Sequence, residues 1–135
     1  MLEQISVFLE NKPGRLAALM EALSGANADL RAFTIADTTE FGIVRIIARD
    51  HENTLKSLKD SGFTAAGNKI IGFTIPDNPG EMNKVIAILQ DGKIEIDYSY
   101  SFMGSRPDEA DIAIKTKDND KAETLLKANG IKIIG

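Results

Sequence analysis

The chain contains no cysteine and no tryptophan, and its only histidine is His51. Without thiols it can form no disulfide, no thiolate metal centre and no cysteine nucleophile. A lone imidazole would leave any metal site to oxygen ligands, so no metal or other cofactor is expected. Positive charge is short too: 16 Lys and Arg stand against 20 Asp and Glu, a net charge of −4 and a pI near 5.0. Nucleic acid as the main partner is excluded on that count, because phosphate binding needs a basic face. No apolar run approaches the ~20 residues that span a bilayer, so no membrane association is expected. The N-terminus shows no basic segment followed by an apolar core, which makes a cytoplasmic protein the expectation.

What is present is a repeat. Pro13-Gly14 recurs as Pro79-Gly80, and shifting the chain by 66 positions superposes Ile5, Val7 and Leu9 on Ile71, Phe73 and Ile75. The same shift takes Asn11 onto Asp77, and Leu16, Leu19, Met20 and Leu23 onto Met82, Val85, Ile86 and Leu89. Self-similarity at a fixed period marks one small unit built twice. A unit of roughly 65 residues is marginal alone, so the two are expected to pack together. The expected domains are 1–66 and 69–135, with Ala66-Gly67-Asn68 as the only linker-like stretch.

Within the first copy, Gln4–Glu10 alternates with the period of a half-buried strand. Leu16, Leu19, Met20 and Leu23 then fall at i, i+3, i+4 and i+7, one stripe of a helix. Ser24-Gly25 is read as its left-handed end. Strands are predicted over Asp29–Ile35 and Ile43–Ala48, a helix capped by Asn53 and closed by Gly62, and a weak last strand over Phe63–Ala65. The second copy repeats the order, with strands at Lys69–Ile75, Glu95–Phe102, Asp111–Thr116 and Ile131–Ile134. Its helices cover Gly80–Leu89 and Ala122–Leu126, the latter ended by Gly130. The predicted class is α+β: two ferredoxin-like βαββαβ units side by side in an extended antiparallel sheet, helices on one face.

Many functions share this plait, so the site must decide. An RNA-recognition plait needs aromatics on its third strand, and Gly42–Ile47 has none. A copper-chaperone plait needs two cysteines in its first loop. Ser/His/Asp catalysis lacks a serine at any strand-to-helix turn, and His51 reads as a solvated loop histidine. Asp108, Glu109 and Asp111 read as a solvated hairpin tip. A small acylphosphatase-like plait finds only Arg15 and Asn11 to support it. The protein is therefore expected not to be an enzyme.

The informative turns are the two that join first strand to first helix. Proline pre-sets its own φ and extends the residue before it, and the glycine lets backbone approach a ligand. The amides of Gly14, Arg15 and Leu16 open the helix without intrahelical partners, which suits a carboxylate. An ammonium group would want acceptors such as Asn11 or Asp77.

Phe8-Leu9-Glu10-Asn11-Lys12-Pro13-Gly14-Arg15-Leu16 and Ile75-Pro76-Asp77-Asn78-Pro79-Gly80-Glu81-Met82 resemble the ACT domain signature, and Phe41–Ile46 is similar to that family's third strand. The likeness covers nearly the whole chain, as in a stand-alone tandem ACT protein. It implies a non-enzymatic regulator that binds an amino acid where the first loop of one unit faces the second-strand opening of its neighbour. The implied ligand-binding positions are Asn11, Pro13, Gly14, Arg15 and Leu16, then Asp77, Asn78, Pro79, Gly80, Glu81 and Met82. Asp29-Leu30 and Glu95-Ile96 hold the strand-opening positions, where many members have asparagine then isoleucine. The alternative is an interaction module with empty sites, a regulatory subunit of an amino-acid biosynthetic enzyme (acetolactate synthase small-subunit-like).

The two loops differ: Arg15 would attract an acidic ligand side chain, whereas Glu81 would repel one. One competent and one altered site are therefore expected. Strand parity predicts a second surface, with Phe8, Phe33, Ile35, Ile43 and Ile47 lining the uncovered face of the first sheet as an interface for a homodimer or for a docked partner such as a metabolic enzyme. The same parity makes that face polar in the second copy, through Thr74, Asp97, Ser99, Ala113 and Lys115, and sends Tyr98, Tyr100 and Phe102 to the core edge.

Overall fold

A computed structural model describes residues 1–37, 41–104 and 106–135, so Thr38, Thr39 and Glu40 of the expected first hairpin lie outside it, as does Ser105. The elements run β1 (Leu2–Glu10), α1 (Arg15–Gly25), β2 (Leu30–Asp37), β3 (Phe41–Ala48), α2 (His51–Asp60), β4 (Thr64–Pro76), α3 (Glu81–Asp91), β5 (Ile96–Ser101), β6 (Glu109–Thr116), α4 (Asn119–Ala128) and β7 (Lys132–Ile134). The chain divides into one unit of Glu3–Asn68 and a second of Lys69–Gly135 together with Met1 and Leu2. Each is a βαββαβ plait.

In the first unit the strand order is β2-β3-β1-β4. Ile5, Val7 and Leu9 oppose Ile46, Val44 and Gly42 across an antiparallel ladder. Their side chains pack with Leu19, Leu23 and Leu58 from the helices into one buried cluster. The second unit has the order β7-β4-β6-β5. There Ile71, Phe73 and Ile75 pack with Val85, Leu89, Ile114 and Leu126. Both cores follow from the alternation along the strands and the helical stripe.

Each plait carries one β-bulge at the same place. The register slips between Leu30 and Ala32, leaving Arg31 as the extra residue, and between Ile96 and Tyr98, leaving Asp97 as the extra. A one-residue slip sends every later side chain to the opposite face. Phe33 and Ile35 therefore oppose Ile46 and Val44 and lie on the helix side, with Phe33 against the core. The expected five-residue apolar patch is thereby broken up. Phe8 and Ile43 keep their place on the uncovered face, and Ile47, which shares it, is buried.

The second bulge corrects the other half of that expectation. Tyr98 and Tyr100 oppose Lys115 and Ala113 and stand on the face away from the helices, while Ser99 opposes the core residue Ile114. The two rings stack at 6.4 Å with 18° between planes. Ser99 Oγ donates to the Ala113 carbonyl at 2.9 Å, satisfying its hydroxyl locally.

Four local expectations also fail. The supposed linker Ala66-Gly67-Asn68 lies inside β4, where Gln4 Nε2 donates to Asn68 Oδ1 at 3.1 Å. Gly67 is a glycine for closeness, since a Cβ there would sit 2.9 Å from His51 Nε2. The cap of α2 is Asp50, whose carboxylate accepts the Asn53 amide at 3.3 Å, and not Asn53 itself. Gly25 is helical, and the left-handed residue after α1 is Asn27, at φ 54°. His51 is no solvated loop residue: it opens α2 with its side chain 18% exposed.

Candidate functional site

The two Pro-Gly loops share one geometry. Gly14 and Gly80 cap α1 and α3 in the left-handed region, at φ 86° and 89°, and no side chain caps either helix. Within the loops the Lys12 amide donates to the Glu10 carbonyl at 2.8 Å and the Asn78 amide to Pro76 at 2.9 Å. The Arg15 amide, expected to be free, donates instead to the Lys12 carbonyl at 3.3 Å, and its counterpart Glu81 donates likewise to the Asn78 carbonyl at 3.3 Å. The amides of Gly14, Leu16, Gly80 and Met82 donate to no protein group among the described residues. Bare amides at the positive end of a helix dipole form a place for an anion.

The side chains around the loops are already engaged. Asn11 Nδ2 donates to Asp37 Oδ1 at 2.7 Å, tying the first loop to the end of β2. Arg15 lies over the Phe63 ring at 5.2 Å with its Nε buried, which holds the guanidinium against its own unit. Glu10 accepts Lys12 Nζ at 2.9 Å, and that hydrogen bond and charge hold its carboxyl below the usual range. In the second loop the Asp77 amide donates to the Asp108 carbonyl at 2.9 Å, and Glu81 pairs with Lys84 at 3.0 Å. A cleft of about 510 Å³ opens there between Glu81, Lys84, Asp108, Glu109 and Lys132.

The strand-opening residues lie elsewhere. Leu30 opposes Ala48, whereas Leu9, next to the first loop, opposes Gly42. Six residues of strand separate the two ends, on the order of 20 Å. Ile96 opposes Thr116 while Pro76 opposes Glu109, so the second unit repeats the separation. No unit brings its own loop to its own strand opening. Asp29 pairs with Arg49 at 2.6 Å and accepts the Arg49 amide at 3.1 Å, and the Glu95 carbonyl accepts the Lys117 amide at 3.0 Å.

Sequence reasoning missed two features. One is a groove of about 630 Å³ beside His51, whose Nε2 lies 3.7 Å from Glu3 and whose Nδ1 is buried without a hydrogen bond. The other is a cleft of about 390 Å³ at the start of β5, lined by Ile86, Gln90, Lys93, Ile94, Glu95 and Ile96, of which the sequence pointed only to Glu95 and Ile96, as the strand opening. Among the described residues no group of three or more His, Asp or Glu is placed to hold a metal ion. No described helix is long and apolar enough to cross a membrane.

Fold and loops together define a tandem plait whose repeated feature is an uncapped, glycine-opened helix start. The chain belongs to the ACT domain pair family, whose model matches residues 1–135. It is similar to protein BT0572 from Bacteroides thetaiotaomicron, with 34% identity and a TM-score of 0.91 over 98% of this chain and 91% of that one. The regulatory subunit of aspartate kinase from Thermus thermophilus shares the fold at 15% identity and TM-score 0.68, over 95% and 90% of the two chains. That of Thermus flavus shares it at 16% and 0.62, over 93% and 88%. No curated protein matches the chain. Tandem ACT domains are regulatory ligand-binding modules, and that coarse function is this protein's.

Proposed function

We propose that this protein is a non-enzymatic regulator that binds a free amino acid, its carboxylate seated on the bare amides of a Pro-Gly helix start. The observation that carries the reading is the pair of left-handed glycine caps without any side-chain cap. Backbone amides recognise the carboxylate common to all amino acids, so the loop sets the class and not the member. The ligand's other contacts come from the strand opening of a neighbouring ACT unit, at positions such as Asp29-Leu30 or Glu95-Ile96.

The two loops are not equivalent in this proposal. Arg15 is held over Phe63, whereas Glu81 places a carboxylate, shared with Lys84, at the matching first-turn position. Like charge next to an incoming carboxylate weakens binding, so the first loop is the stronger site. A thermal-shift screen across the twenty amino acids tests the reading. Saturable stabilisation by one or a few is expected, reaching about 2.7 kcal/mol at a hundredfold excess over Kd. No response to any amino acid would sink it and leave the regulatory-subunit alternative. Calorimetry showing two identical sites would overturn the asymmetry.

A further inference from the structure

The first sheet carries exposed aromatics on the face that its own helices leave open. Phe8 opposes Ile43, and one step further Glu10 opposes Phe41. All four side chains point away from the helices, because Val7 and Leu9 alternate with them and face the core. Phe8 and Phe41 are 51% and 48% exposed, and Ile43 is half-buried. In the second plait the same ladder positions hold Thr74 opposite Asp111 and Pro76 opposite Glu109, with Thr74 Oγ1 donating to Asp111 Oδ1 at 2.7 Å. This plait therefore folds with that face polar, and the phenylalanines of the first copy serve something outside their own unit.

We infer that this face pairs with the same face of a second copy of this chain, sheet against sheet about 10 Å apart. Three strands, β2, β3 and β1, with the start of β4 beside them, offer roughly 450 Å² in plan. With side-chain relief counted, two copies bury on the order of 1,000 Å², the lower bound for a specific interface. An interface of that size with two phenylalanines per copy at its centre holds with a Kd on the order of micromolar.

Charge chooses where the two-fold axis lies. Arg45 opposes Ser6, so the Arg45 row and the Glu10–Phe41 row lie one step to either side of Phe8 and Ile43. An axis across the strands at Phe8 lays Arg45 over the Glu10–Phe41 row of the second copy, twice by symmetry. An axis along the strands would set cation against cation and anion against anion. Opposite charge and the Phe41 ring face favour the first. The pairing makes no use of the Pro-Gly loops, so it stands or falls apart from the amino-acid reading.

Sedimentation of the full chain from about 1 μM to about 1 mM is the test, and a monomer–dimer equilibrium is expected. Phe8→Thr and Phe41→Glu install the residues that the second plait carries at those places. Each should raise the dimer Kd about tenfold or more, with circular dichroism unchanged. Glu10→Gln should raise it about 2- to 5-fold. Met20→Gln, which alters an exposed apolar side chain on α1, should leave it unchanged. In a mixture of isotope-labelled and unlabelled chains, NOEs are expected between the Phe41 ring of one copy and the Arg45 methylenes of the other. A monomer at every concentration refutes the pairing, as does a dimer that survives both phenylalanine variants or is broken by Met20→Gln. A dimer lost in the phenylalanine variants but indifferent to Glu10→Gln and lacking those NOEs supports the face and overturns the axis.

Discussion

Gly14→Ala and Gly25→Ala place the same methyl group at the two ends of α1 and should move stability in opposite directions. A Cβ at either position meets no atom within 4 Å, so packing contributes nothing to either change. What differs is the backbone. Gly14 stands at φ 86°, where an alanine costs about 1–2 kcal/mol through its Cβ and carbonyl. Gly25 is the last helical residue and has an ordinary φ, so alanine there stabilises by about 0.5 kcal/mol. The two variants should thus lie about 2 kcal/mol apart in urea unfolding, with unchanged m-values. For a chain of 135 residues, ~1.5 kcal/mol is about 5 °C in Tm. Gly14→Ala should also weaken amino-acid binding, because the left-handed cap is what aims the loop amides. If Gly14→Ala is neutral, or both variants shift the same way, the reasoning from conformation to both stability and site fails.

Asp97 sits between Lys117 at 2.7 Å and Lys115 at 3.4 Å; the Lys117 hydrogen bond lowers its pKa, and the same bond raises that of Lys117. A lowered acid stabilises above the ordinary carboxylate range, and that contribution disappears as pH falls through its depressed value; a raised lysine stabilises below the ordinary ammonium range and loses its part as pH rises through its elevated value. The stability difference between wild type and Asp97→Asn should therefore shrink at both extremes, and a difference constant from about pH 2 to about pH 11 would refute the pairing. At Gly72 a Cβ would run into Leu2 Cδ1 and lie 3.0 Å from Leu2 Cγ, so Gly72→Ala should cost about 1–3 kcal/mol by overpacking. Leu2→Ala should cost about 2 kcal/mol alone, and the double variant less than the sum by at least ~0.5 kcal/mol. Strict additivity in denaturant unfolding would show that Leu2 does not cover Gly72.

Much of this molecule is legible from residue spacing. The 66-residue echo, the alternation of Ile5, Val7 and Leu9, and the stripe of Leu16, Leu19, Met20 and Leu23 are local patterns whose physical meaning is local. They determine the element order, the two cores and the place of both Pro-Gly helix starts, because burying one face of a strand or helix needs only its own periodicity. The left-handed glycines belong to the same group, since the Pro-Gly step itself dictates that turn.

What escaped depends on partners distant in the chain. The bulges at Arg31 and Asp97 exist only in the pairing of β2 with β3 and of β5 with β6, and they reversed the facing of Phe33, Ile35, Tyr98 and Ser99. Gly67 looked like part of a linker because nothing nearby in sequence reveals the imidazole of His51 against it. Sequence by itself settled the element order, the two cores and the two glycine-opened helix starts; tertiary structure alone settled which faces come together, because side-chain facing is a property of strand pairs and not of strands.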